Sequence, residues 1–288
     1  MPTNAFDLKP DRRIHALLVG PSGVGKTAAA CSFPGRTFIL DFDDRAKGAI
    51  LGSEFLQEKV QKKEIEIERI LPWRGKTPIG LKDVYSFLES VDTRVTKGEI
   101  DNVILDSTTS LKRFFVNDSI NHDLTTSGKS NSLAHFKIGE AVLGQKQDYN
   151  YAATCMLNVI YDNLKTFACN LFVSTHIKDK TVSSPTPEDP ERVIVTGETI
   201  TAPGQLTIEI PSWFDEVWEF QVDVTNKALP PKRFVVFQGK WGRTSFRGLG
   251  QYNEKGVWTP THKFDITDKA LYQVLKPTLD RLVETKPK

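Results

Sequence analysis

Residues 17 to 30 read LLVGPSGVGKTAAA. Within them Gly20, four intervening residues, Gly25, Lys26 and Thr27 have the types and spacing that hold phosphate groups. The backbone N–H groups of such a loop turn inward toward phosphate oxygens, and the helix that follows adds its positive N-terminal end. Gly20, Pro21, Ser22, Gly23, Val24, Gly25, Lys26, Thr27 and Ala28 are the expected cradle. Lys26 supplies a cation to the β and γ phosphates, and Thr27 offers a hydroxyl to magnesium. A chance glycine-rich turn lacks the apolar strand before the loop and the alanine-rich helix start after it.

Hydrolysis of a bound nucleotide needs further polar groups near the phosphates. Asp106 ends the apolar run VILD and is expected to hold Mg2+ through water, because magnesium is a hard, octahedral ion that sheds its hydration shell reluctantly. Capping of the segment that starts at Ser107 is the alternative role for this carboxylate. Asp41, Asp43 and Asp44 close the run FILDFDD. Asp43 is preferred as the group that orients an attacking water, with Asp44 next, although a solvated turn accounts for all three. His176 follows Ser174 and Thr175 at the end of another apolar run. There it would either couple nucleotide state to the loop that follows or stand as an ordinary strand-end histidine.

These residues need a scaffold that gathers strand ends. RIHALLV (13–19) reads as a buried strand, 27–33 as a helix, 36–44 as a second strand, and EIEIERI, with its period of two, as a short strand within 57–70. Leu81, Val84, Phe87, Leu88 and Val91 predict a helix over 80–95. DNVILDSTTS (101–110) is the next strand and loop, 120–132 a polar, mobile interval, 149–164 a helix, and FACNLFVSTH (167–176) a further central strand. Strand and helix alternate, as in parallel sheets with crossover helices, where ligands sit beyond the carboxyl ends of the strands. After His176, residues 178–204 are rich in Pro, Thr, Ser and Gly and predict a hairpin or surface excursion. WFDEVWEFQVDV and KRFVVFQGK follow as strands joined at NKALPP, then a Gly-rich aromatic stretch (240–263) and a terminal helix from near Asp268.

With 288 residues, 39% hydrophobic and 26% charged, the chain has the material for a large core. The cysteines Cys31, Cys155 and Cys169 lack zinc spacing, and the first ten residues carry no hydrophobic leader, so the expected setting is the cytoplasm. No apolar run has the length of a membrane span, and no membrane partner is expected. Net charge is only +2, so distribution matters more than the total. From Lys227 to Lys263 there are eight basic residues (Lys227, Lys232, Arg233, Lys240, Arg243, Arg247, Lys255, Lys263) against the single acid Glu254. Trp241, Phe246, Tyr252 and Trp258 are interleaved with them. Cations for phosphates and rings for stacking suit single-stranded DNA; packing of a sheet edge is the other reading. The loops 120–132 and 178–204 are further candidate contacts for DNA or a protein partner.

In GPSGVGKT (20–27), FILDFDD (38–44), VILDSTT (103–109) and LFVSTH (171–176) the chain resembles the RecA-like recombinase ATPases. It is most similar to compact phage-type members that act as single-strand annealing or recombination ATPases. The resemblance spans about residues 13–250. It implies an α/β, RecA-like P-loop NTPase core with a mostly parallel central sheet and a β-rich C-terminal extension. Residues 1–250, including the excursion 178–204 and the basic segment 217–250, would form the core, and 251–288 a tail with a helix. It further implies ATP and Mg2+ as cofactors, with Lys26 and Thr27 on the phosphates and Asp106 with the metal. The catalytic acid falls on Asp43, where the family usually has glutamate, so a side chain one methylene shorter predicts slow hydrolysis or a rearranged neighbour. The polar sensor falls on His176.

RecA-like proteins assemble so that a neighbour's cations reach the γ-phosphate, and Lys240 and Arg243 in FQGKWGRTSFRG are the matching positions. The expected partners are single-stranded DNA, further copies of the chain in a ring or filament, and phage replication or recombination proteins in an infected bacterial cytoplasm. The expected activity is DNA-stimulated ATP hydrolysis in annealing or strand exchange. A nucleotide-gated replication accessory of the helicase-loader kind and a small-molecule kinase remain as alternatives.

Overall fold

The computed structural model describes residues 13–71, 73–74, 77–126, 137–138, 141–142, 146–183, 193–223, 231–237, 249–252, 257–267 and 269–284. The first half runs β1 (His15–Val19), α1 (Lys26–Cys31), β2 (Thr37–Asp41), α2 (Ala46–Leu51), α3 (Gln57–Gln61), β3 (Ile65–Arg69), the ribbon strands β4 (Trp73–Arg74) and β5 (Thr77–Pro78), α4 (Leu81–Thr96), β6 (Asn102–Asp106) and α5 (Thr108–Thr126). A second ribbon, β7 (Lys137–Ile138) and β8 (Ala141–Val142), precedes α6 (Lys146–Leu157), β9 (Asn170–Thr175), β10 (Ile177–Ser183), β11 (Val193–Ile200), α7 (Leu206–Ser212), β12 (Glu216–Asp223) and β13 (Lys232–Val236). The chain closes with β14 (Gly250–Tyr252), β15 (Trp258–Pro260), β16 (Lys263–Asp265) and α8 (Leu271–Glu284).

One sheet of eight strands carries the fold, in the order β16-β13-β12-β1-β9-β6-β2-β3. The six strands from β12 to β3 are parallel to their neighbours. β13 and β16 extend one edge antiparallel. The mostly parallel α/β sheet expected from the sequence is therefore present; β13 and β16 of the β-rich C-terminal stretch continue it, while β14 and β15 pair with each other in a separate two-stranded sheet.

Alternation along each strand explains why the central runs are apolar throughout. Leu17, Val19, Leu40, Val103, Leu105, Leu171, Val173 and Val217 point to one face, where they meet Val84, Leu88 and Val91 of α4, Phe114 and Phe115 of α5, and Met156 of α6. Ala16, Leu18, Ile39, Ile104, Phe172 and Trp218 point to the other, against Ala29 and Ala30 of α1, Ile50 of α2 and Leu275 of α8. With helices on both faces there is no solvent side to favour polar residues. β3 lies at the edge and keeps the period of two. Ile65 and Ile67 pack against the second cluster, while Glu66 accepts from the Arg94 guanidinium of α4 at 2.7 Å.

The polar interval expected at 120–132 is helical as far as Thr126, because α5 runs on through it; 127–132 lie outside the described residues. Leu111, Phe114, Phe115 and Ile120 are buried at helical spacing. The polar residues among them act as anchors. Asp118 accepts the Tyr151 hydroxyl at 2.8 Å and the Leu81 N–H at 3.3 Å, and Ser119 donates to Asp148 at 2.7 Å. The excursion after His176 is an antiparallel hairpin of β10 on β11.

Candidate nucleotide site

The glycine loop leaves β1 at Val19, and its first N–H, that of Gly20, donates to the Thr175 carbonyl at the end of β9 at 3.3 Å. Gly20 also packs directly against β12. A Cβ there would lie 2.7 Å from the Phe220 carbonyl oxygen and 2.9 Å from its Cβ, so the strand neighbour requires glycine. Gly25, with φ +100°, turns the loop into α1 through the left-handed region. Val24 and Ala28 are buried in the core, whereas Pro21, Ser22 and Gly23 form the exposed lip.

The Lys26 side chain folds back into this loop. Its Nζ donates to the carbonyls of Gly20 at 2.9 Å and Pro21 at 2.7 Å. Burial pulls the ammonium pKa down to about 8, with Asp106 and Asp43 acting in the opposite sense. Phosphate oxygens are stronger acceptors than carbonyls for this cation and would return it fully to the charged state.

Since β9 lies between β1 and β6, a carboxylate ending β6 meets Thr27 only by reaching across β9. Ser174 stands at that crossing. Thr27 Oγ1 donates to one oxygen of Asp106 at 2.6 Å, and Ser174 Oγ to the other at 2.5 Å. This pair of hard oxygen ligands fits Mg2+, with Thr27 and Asp106 as the residues that would hold it. Bound there, the ion would offset charge on the β and γ phosphates.

The three acids after β2 have three different surroundings. Asp41, 1% exposed, accepts the N–H groups of Asp43 at 3.0 Å, Ala46 at 3.1 Å and Arg45 at 3.5 Å. It braces the turn from below, and burial raises its carboxyl above the usual range. Asp44 faces outward in an ion pair with Arg69. Asp43 points into the cleft and accepts hydrogen bonds from Ser107, at 3.1 Å, and Ser110. Burial, then the nearby charge of Asp106, raises its carboxyl pKa as well.

His176 Nε2 lies 3.9 Å from Asp43. Burial is the first cause, and the cations Lys26, Arg45 and Arg113 the next, that bring its imidazole down to about 4, against the opposing pull of Asp106. The ring is neutral at physiological pH and can serve as a polar group without adding charge. Beside it, the hydroxyl of Thr108 donates to that of Thr175 at 2.8 Å, fastening the start of α5 to the end of β9.

Lys26, Thr27, Asp43, Asp106 and His176 thus line one cleft of about 640 Å3, which continues past Gly48 and Ser53 to Arg233. Lys240 and Arg243 lie outside the described residues. Sequence reading passed over four groups here. Ser107 and Ser110, part of the segment whose capping is the alternative role for Asp106, hold Asp43; Ser174 holds Asp106; and Arg45 reaches the lip of the loop, its Nη1 3.4 Å from Ser22 Oγ. The hydroxyl-rich run after VILD was the available signal for the first two. No metal-binding cluster of His, Cys, Asp and Glu occurs among the described residues, and none of their helices is long and apolar enough to cross a membrane.

A phosphate loop between β1 and α1, an acid at the end of a strand one removed, and a largely parallel sheet define a P-loop ATPase fold. The family model for an AAA domain, AAA_24, matches residues 12–245, and the chain belongs to that family. Among solved structures it is similar to the KaiC-like protein PH0186 from the hyperthermophilic archaeon Pyrococcus horikoshii OT3, at 15% identity over 86% of this chain and 89% of that one, with a TM-score of 0.40. No curated protein sequence matches the chain.

Proposed function

We propose that this protein is a Mg-dependent ATPase that binds single-stranded DNA and promotes annealing or strand exchange, with its hydrolysis stimulated by DNA and completed at contacts between subunits. The observation that carries the reading is the join between the cleft and the β10–β11 hairpin. His176 stands between β9 and β10, and its carbonyl accepts the Thr201 N–H at 2.8 Å, so the hairpin base is tied to a residue that lies 3.9 Å from Asp43. A change at the terminal phosphate that moves His176 therefore has a covalent and hydrogen-bonded route into a hairpin that carries Lys178 and Lys180. Exposed cations on the sheet edge, Lys232, Arg233 and Lys263, add phosphate-binding charge. Phage recombination or replication proteins in the host cytoplasm are the fitting company, and Lys240 and Arg243 of a neighbouring copy are the expected source of trans cations.

Mg-ATP turnover with and without single-stranded DNA tests this, alongside Lys26→Ala and with oligomeric state recorded in each mixture. Stimulation by DNA that Lys26→Ala abolishes supports the reading. If DNA neither binds nor changes turnover, the DNA-linked function is lost and a protein partner becomes the object of search.

A further inference from the structure

We infer that Arg45 is a cation supplied by the same subunit to the terminal phosphate, so that each cleft carries its own charge-stabilising arginine before any neighbour arrives. The inference rests on the reading of the cleft as a site of ATP hydrolysis.

Among the described residues, three Lys and Arg side chains line the cleft: Lys26, Arg45 and Arg233. Lys26 is folded into the loop on two carbonyls. Arg233 also lines an adjoining space with Val24, Gly25, Ala28, Ser53 and Phe55, to which none of the three acids contributes. Arg45 alone stands at the phosphate lip on the side of Asp43. Its guanidinium is 3.4 Å from Ser22 on the exposed crest of the loop. It is also close enough to both Asp43 and His176 for its charge to act on their protonation.

The turn that delivers Arg45 is fixed rather than incidental. Asp41, buried beneath it, receives the N–H groups on either side, those of Asp43 and Ala46, and the N–H of Arg45 itself. One buried carboxylate therefore sets both the acid that orients water and the arginine across from it. The Arg45 side chain is exposed and its contact with Ser22 is long for a hydrogen bond. It is free to exchange that hydroxyl for a phosphate oxygen, a stronger and charged acceptor.

In the reaction, the water oxygen bonds to the γ-phosphorus while the bond from that phosphorus to the β,γ-bridging oxygen breaks. The electron pair stays on the β-phosphate of ADP. The proton of the water passes by way of Asp43 to solvent, leaving ADP and inorganic phosphate. Negative charge on the γ-phosphate oxygens is what a fixed guanidinium stabilises.

The test uses the full chain as Arg45→Ala and Arg45→Lys, with Lys26→Ala as the cradle-deficient control. At saturating Mg-ATP, Arg45→Ala is expected to lower kcat by about 100-fold or more, and Arg45→Lys to recover part of it, since lysine keeps the charge but not the fork. In binding titrations with ADP and with the slowly hydrolysed ATPγS, Arg45→Ala is expected to lose affinity for ATPγS selectively. Mixing Arg45→Ala with Lys26→Ala is expected to restore nothing, because the intact cradle and the intact arginine then sit on different chains.

Recovery in that mixture would overturn the same-subunit assignment. Equal loss for ADP and ATPγS, or no loss for either, would overturn the contact with the terminal phosphate. Wild-type protein that binds ATP but turns none over would sink the hydrolase reading itself, and the proposal with it, whereas normal wild-type turnover unchanged by Arg45→Ala would sink the proposal alone.

Discussion

Lowering the pH should destabilise this protein through His176 in a window that one substitution removes. The imidazole titrates near 6.5 in the unfolded chain and near 4 in the cleft, because burial and then the charges of Lys26, Arg45 and Arg113 oppose its protonation. Between those values the unfolded chain binds a proton that the native chain refuses. Stability contributed at this position is therefore complete above about pH 6.5 and is lost as pH falls toward 4. The full difference is about 3 kcal/mol, and between pH 7.5 and 4.5 it is about 2.5 kcal/mol, an upper value for a side chain that is 22% exposed. His176→Gln keeps a polar group of similar reach with nothing to titrate. Urea unfolding of both proteins across this range, without nucleotide or metal, should show the wild type losing stability more steeply by roughly that amount. Carboxylates such as Asp41 and Asp43 titrate in both proteins and cancel in the difference. In parallel, the NMR titration of the imidazole signal that disappears in His176→Gln should have its midpoint below pH 5. Superimposable pH slopes together with a midpoint near 6.5 would refute the account of a dry, cation-flanked imidazole.

Asp43→Asn should cut turnover by about 100-fold or more and yet raise stability by about 1 kcal/mol, because a buried carboxylate facing Asp106 disappears while Ser107 and Ser110 keep an acceptor; steady-state kinetics and thermal melts check the two halves. Gly20→Ala should cost about 1–3 kcal/mol, since the added methyl meets the Phe220 backbone at 2.7 Å; a melting temperature equal to wild type would show that β12 yields easily. Ser174→Ala should weaken Mg-nucleotide binding and cost about 1–2 kcal/mol in unfolding, measured by calorimetry and denaturation, as one oxygen of Asp106 loses its partner. The buried thiols of Cys31, Cys155 and Cys169, pushed up by burial to about 12, 11 and 12, should be silent to a thiol reagent at pH 8 in the native protein and all react once it is unfolded.

Which of these groups are legible before folding depends on whether their role is written locally. The phosphate loop is local: Gly20, Gly25, Lys26 and Thr27 act within one turn of chain, and so their spacing alone reveals them. Buried strands are nearly as plain, since VILD and LFVST are apolar on both sides for the single reason that both faces of the sheet are covered. Strand order is not local. Nothing in VILD says that β9 will separate it from the loop, and so nothing marks Ser174 as the hydroxyl that meets Asp106 at the crossing. The same holds after β2, where Asp41, Asp43 and Asp44 look alike in sequence and are told apart only by what the turn gives each of them: three backbone N–H groups, two serines, or Arg69. Arg45 is the hardest to see, because a charged residue just past a strand is the commonest kind of surface residue. Its significance comes from a carboxylate four positions earlier that is buried only because β3 and β6 pair on either side of it. A site assembled on strand ends is therefore readable in its phosphate grip and hidden in its polar fittings, and mutational searches restricted to motif positions would miss the residues that set the geometry of hydrolysis.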